Sequence, residues 1–139
     1  MILGFKHIKL LSLSFISIAY FCLSACATTH SSDMALTVEE ALANSQMLDG
    51  SQVSVSGYLV LDFEDHNLYA SRRDAKEKAN NKDRCIALTI NKDVYATWKN
   101  NDASFVVVDG TLNKDYCGPD KFCPYACNRI AIENIQISR

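Results

Sequence analysis

Six cysteines and three histidines are the residues of this 139-residue chain best suited to covalent or metal chemistry. Cys85, Cys117, Cys123 and Cys127 lie in the body of the chain, and the last three follow a C-x5-C-x3-C spacing. Zinc sites usually pair their cysteines as C-x2-C knuckles, and none is present. No C-x-x-C redox motif is present either. An even set of four cysteines in an oxidising compartment reads as two disulfides, with three possible connectivities. Asp62, Glu64, Asp65 and His66 form a second cluster. Their order matches no EF-hand pattern, and an exposed turn calls for the same polar residues. His66 has no second histidine near it, since His7 and His30 lie far upstream, so a nucleophile-base relay lacks parts. No nucleotide loop or metal pair is visible, and no cofactor is expected.

The compartment is set by the first residues. Lys6 and Lys9 precede an apolar run from Leu10 to Leu23. The run suits a signal-peptide core and is shorter than the roughly 20 residues a spanning helix needs. It ends in Leu23-Ser24-Ala25-Cys26, which resembles the lipobox of bacterial lipoproteins. The resemblance implies cleavage before Cys26 and a diacylglyceryl group on its sulfur. Small Ser24 and Ala25 would admit the peptidase, and Leu23 would fill its apolar pocket. Acyl chains contribute about 0.8 kcal/mol per buried methylene, so two or more anchor a protein stably. Ala27 lacks the aspartate that marks inner-membrane retention in this family. The expected location is therefore the cell envelope: the outer membrane facing the periplasm, where the source has two membranes. Residues 1–25 are read as signal peptide and 26–36 as a flexible, small and polar tether, leaving a domain over 37–139.

Cleavage removes Lys6 and Lys9, so 14 basic residues become 12 against 16 acidic ones, and the exported part carries about four negative charges. Nucleic-acid binders show a basic footprint, which excludes that partner class from the expectation. One domain of this size can bury roughly two-thirds of its unfolded surface.

The elements that must position the cysteines follow from patterning. Thr37 and Glu40 have capping-box spacing, with Val38, Ala41 and Leu42 on one helical side and Asn44-Ser45 as a stop. Asp49-Gly50 signals a turn, and Val53 and Val55 begin a strand that Gly57 should bend or bulge. Tyr58, Val60 and Asp62 then share one face, and Leu59, Leu61 and Phe63 the other. "LYAS" returns as the second strand of a hairpin. Residues 72–84 are charged and predict an exposed loop with at most a helical turn. "CIALTI" is a third strand with Ile86, Leu88 and Ile90 on one side. Val94, Tyr95 and Trp98 have helical spacing and predict a short packed helix. "FVVVDGTL" is a buried strand. "IAIENIQI" alternates Ile130, Ile132, Asn134 and Gln136 against Ala131, Glu133, Ile135 and Ile137.

Five strands with a helix between the third and fourth, the first bent at glycine, resemble the OB-fold, a small Greek-key barrel. The stretch "DGSQVSVSGYLVLDFEDHNLYAS" resembles an exported version of it. The fold class expected is mainly β. An open antiparallel sheet packed on two helices is the alternative. The OB resemblance implies that the third and fifth strands lie parallel with neighbouring starts, pairing Cys85 with Cys127 and leaving Cys117 for Cys123.

Tyr116, Phe122 and Tyr125 stand beside Lys114, Lys121 and Arg129 in the loop between the last two strands. Rings and cations on a braced loop suit a peptide, a glycan or an anionic group, and rings alone would cap a barrel end. The function expected is a non-catalytic binding or assembly module for an envelope protein or glycan. The alternative is a small envelope enzyme, or an inhibitor of one, working through the 113–129 loop. A fold hosting many functions does not choose between them.

Overall fold

The computed structural model describes residues 34–63, 65–78, 83–123 and 126–139. The expected signal peptide and Cys26 lie outside these residues, as do Glu64 and Tyr125. The chain divides into two units at Ser31/Ser32, and the second holds everything described here.

Strand β1 (Leu36–Thr37) pairs in parallel with Val55–Ser56. Leu36, assigned to the tether from sequence, is thus already part of the sheet, and its side chain packs against the core. Thr37 then caps α1 (Val38–Ala43). Its hydroxyl accepts the Glu40 N–H at 3.2 Å, and the Glu40 carboxylate accepts the Thr37 N–H at 2.8 Å. Val38 and Ala41 are fully buried. Asn44 ends α1 by turning its backbone N–H to Glu40 and Leu42, and a further turn, α2 (Ser45–Leu48), follows.

Strand β2 (Gln52–Leu61) is the spine of the barrel. It runs antiparallel to β3 (His66–Tyr69) on one side, from Tyr58↔Tyr69 to Leu61↔His66. On the other it meets β5 (Ser104–Asn113), from Gln52↔Thr111 to Leu59↔Ser104. β3 pairs antiparallel with β4 (Cys85–Leu88), which pairs in parallel with β6 (Ala131–Ser138), and β6 returns antiparallel to β5. The circuit β2-β3-β4-β6-β5-β2 closes a five-stranded barrel that fits an OB-like fold, which removes the open-sheet alternative. Two further helices complete the described chain: α3 (Arg72–Glu77) and α4 (Lys92–Trp98), which begin at side-chain caps from Ser71 and Asn91. No helix among the described residues is long and apolar enough to cross a membrane.

Gly57 introduces no register shift. Its role is close approach: a Cβ there would lie 2.8 Å from both Leu68 Cγ and the Tyr69 carbonyl oxygen. The bulge is instead in β6. Thr111 faces Glu133 while Asp109 faces Gln136, so an extra residue is accommodated opposite Gly110, and Asn134 adopts a left-handed backbone with φ 53°. This corrects the strict alternation expected for that strand. Ile132 and Ile135, placed on opposite faces by a period of two, are both buried in one core with Val55, Leu59, Leu68 and Val108. Phe63 also departs from expectation. The strand stops at Leu61, so Phe63 sits in the turn and is 80% exposed.

A smaller cluster forms outside the barrel wall. Val60, Tyr69, Ala75, Cys85 and Ala103 are buried together, with Tyr58 and Cys127 packed against them. Ala75 belongs to α3, in the segment expected to be an exposed loop. The Ser71 cap and the Arg84–Asp74 ion pair at 2.9 Å hold that turn onto the sheet.

Candidate functional site: a cysteine-braced loop and its groove

The loop from Lys114 to Ile130 is fixed at each end by the strands it joins and internally by two cysteine pairs. Cys85 opens β4, and Cys127 lies just before β6. Because these strands run parallel, the two meet, with Cα atoms 6.2 Å apart and a bridge between them. Cys117 and Cys123 are bridged at a Cα separation of 6.0 Å. Polar contacts reinforce both bridges. Asn128 donates from its side-chain amide to the Cys85 carbonyl, and its Oδ1 accepts the Ile130 N–H at 2.8 Å. Arg129 and Cys117 clamp reciprocally: the Cys117 N–H donates to the Arg129 carbonyl, and Arg129 Nε donates to the Cys117 carbonyl, each at 3.1 Å.

The loop is also tied to the first hairpin by three residues that sequence reasoning assigned to an exposed turn or passed over. Asp65, Asn67 and Tyr69 alternate along one face of the second strand and are 6%, 3% and 3% exposed. The Tyr69 hydroxyl donates to Asp65 Oδ2 at 2.8 Å, and the Asn67 amide donates to Asp65 Oδ1. Asn67 Oδ1 in turn accepts the Cys127 N–H at 3.1 Å. Burial pushes the Asp65 carboxyl above the usual carboxylate range, opposed by the two donors. Tyr69 is pushed far above the ordinary phenol range by burial and by the carboxylate it faces. The signal in the sequence was the D-x-N-x-Y period of two, which makes one face of a strand polar where a loop must cover it. Asp62 pairs with Lys78 instead of joining Asp65 in a cation site. Among the described residues, no group of three or more histidine, cysteine or acidic side chains is placed to hold a metal ion.

The loop divides two recesses. The larger is an open groove of about 750 Å³ between α1 and the loop, with Leu42, Ala43, Ala126, Ile130 and the cysteines Cys117, Cys123 and Cys127 as apolar surface. Glu39 of α1, Asp83 just before β4, and Arg129 of the loop also stand in its lining. The smaller, about 230 Å³, is lined by His66, Leu88, Ile90, Tyr116 and Phe122. His66 lies 5.9 Å from the Tyr95 ring, so it faces an aromatic neighbour at the barrel end.

The candidate binding residues are therefore not gathered in one place. Tyr116 and Phe122 share the smaller recess, with Phe122 91% exposed. Arg129 lines the groove. Lys114 is held by Asp115 at 2.6 Å, and its backbone N–H donates to Asp49 at 3.1 Å. Lys121 is exposed, with its N–H closing a turn onto Gly118. Tyr125 lies outside the described residues.

Comparison with family models, with curated proteins and with solved structures returned no match. The functional reading thus rests on the chain's own chemistry.

Proposed function

We propose that this chain is a lipid-anchored envelope protein whose OB-like Greek-key domain is a non-catalytic binding or assembly module for an envelope protein or glycan. The lipobox-like Leu23-Ser24-Ala25-Cys26 behind a basic and apolar leader supports the anchor. The observation that carries the binding role is the 750 Å³ groove. Its apolar surface is built from a loop braced by two cysteine pairs, so its shape is set before a ligand arrives, and preorganisation lowers the cost of association. Among the described residues the most buried carboxylate, Asp65, accepts from Tyr69 and from Asn67, whose Oδ1 holds the loop at Cys127, which supports architecture in place of turnover.

Two experiments test this reading. Metabolic labelling with a clickable fatty acid should mark the chain, and Cys26→Ser should abolish the label and release the chain from membranes. Retention of label in that variant would remove the anchor. A photo-crosslinking residue placed at Ala126 in the intact envelope should capture a discrete partner that a lipoprotein control does not. Capture no greater than in the control would count against the assembly role.

A further inference from the structure

The lining of the groove is polarised. Among the described residues that line it, Glu39 of α1 and Asp83, just before β4, are carboxylates, and Arg129 of the loop is the one cation. The same bias runs through the helical stretch that carries Glu39, whereas Asp83 is flanked in sequence by Lys82 and Arg84. Residues 38–50, which hold α1, α2 and the following turn, contain Glu39, Glu40 and Asp49 and no lysine or arginine. Arg84 stands behind Glu39, but it also pairs with Asp74, so its charge is shared between two carboxylates at 3.3 and 2.9 Å. Arg129 is held by its Nε to the Cys117 carbonyl. Between these charges the exposed atoms are predominantly apolar: Leu42, Ala43, Ala126, Ile130 and the bridged sulfurs.

We infer that the groove takes a segment of a partner protein in which apolar side chains are flanked by lysine or arginine, the apolar groups lying on the cysteine-braced surface and the cations facing Glu39 and Asp83. This inference rests on the reading of the groove as a binding site and adds the chemistry of what fills it. An uncharged glycan can donate hydroxyl hydrogen bonds to the two carboxylates but neutralises neither, and a polyanion is repelled by them. A cationic, amphipathic polypeptide satisfies both the apolar floor and the acidic wall. Exposed charge pairs are individually weak and screened by salt, so apolar contact supplies affinity and the carboxylates supply selection by sign.

The test uses the full chain in a non-ionic detergent and fluorescence anisotropy of two short labelled peptides. Both have paired central leucines, flanked by lysines in one and by glutamates in the other. The lysine peptide should bind at least about tenfold more tightly at low salt, with the difference shrinking at high salt. Replacing both Glu39→Gln and Asp83→Lys should remove most of that preference. Arg129→Gln should strengthen binding of the lysine peptide, a change of sign that damage to the loop would not produce. Leu42→Ser should weaken both peptides alike. Circular dichroism of each variant checks folding, and Asp83→Lys alone, at an exposed position, serves where the double variant fails to fold. Equal affinity for the two peptides, a preference for the glutamate peptide, or weaker lysine-peptide binding in Arg129→Gln would overturn the charge assignment. Binding of neither peptide would overturn the polypeptide assignment. The groove reading itself stands or falls separately on whether crosslinking from Ala126 captures a partner.

Discussion

The two cysteine pairs close loops of very different length, and that difference sets a quantitative prediction. Cys85 and Cys127 are 42 residues apart, and Cys117 and Cys123 are six. In the chain-entropy model, a closed loop of the first size stabilises a fold by about 4 kcal/mol and one of the second by about 2 kcal/mol at 25 °C. Cys85 is fully buried in the outer cluster with Tyr69 and Ala75, so losing its sulfur also leaves unfilled space, which adds to the larger figure. The perturbation is a pair of double variants, Cys85→Ala with Cys127→Ala and Cys117→Ala with Cys123→Ala. Each is compared with the oxidised parent by urea unfolding followed by far-ultraviolet circular dichroism. With a slope of about 1.5 kcal/mol per molar urea, the midpoint should fall by about 2.7 M in the first and by about 1.3 M in the second. The ranking is the critical result. Equal losses, or a greater loss on removing the short bridge, would refute the assignment of the long bridge as the principal brace.

Other outcomes follow from single residues. Gly57→Ala places a methyl 2.8 Å from Leu68 Cγ and from the Tyr69 carbonyl oxygen, and overpacking of this kind should cost about 1–3 kcal/mol in a thermal or urea melt. Tyr69→Phe removes one of the two donors to buried Asp65 and should cost about 1.5–3 kcal/mol, the range for a hydrogen bond to a charged group. Asp65 has its folded-state value raised mainly by burial, so folding favours its protonated form. Its contribution is greatest at low pH and is lost as pH rises through that raised value. Relative to Asp65→Asn, the parent should therefore lose stability as pH rises from the ordinary carboxylate value through the raised one, and parallel pH profiles would contradict this. Thr37→Ala removes the acceptor of the Glu40 N–H and should cost about 1 kcal/mol.

Much of this architecture was legible where the cause is local. Thr37 and Glu40 announce a helix start by spacing alone, and Val53, Val55, Leu59 and Leu61 mark the inner face of a strand by alternation. What stayed hidden depends on residues distant in sequence. Ile132 and Ile135 share a face only because β6 bulges opposite Gly110, one strand away, and no period within "IAIENIQI" reports it. Asp65 looks like a solvated turn acid until the loop that carries Cys127 is bonded to Asn67 beside it. The binding candidates suffered likewise. Tyr116 and Arg129 are close in sequence, yet the loop turns one toward the barrel end and the other toward α1. Glu39, Leu42 and Asp83 entered the groove from elements that carried no functional signal of their own.

The barrel is not equally strong around its circumference. β2 and β5 share eight paired positions, whereas β4 and β6 meet at only two, Ala87↔Ala131 and Leu88↔Ile132. A wall joined by so few rungs is the natural seam along which the cylinder would part in a local fluctuation, since opening there sacrifices the fewest contacts. The Cys85–Cys127 bridge lies at one end of that seam and acts as a rivet. With the rivet in place, the seam can only fray from its far end, and the groove wall beside Cys127 stays still while it does. Reduction should reverse the direction of fraying and loosen the end beside the groove first.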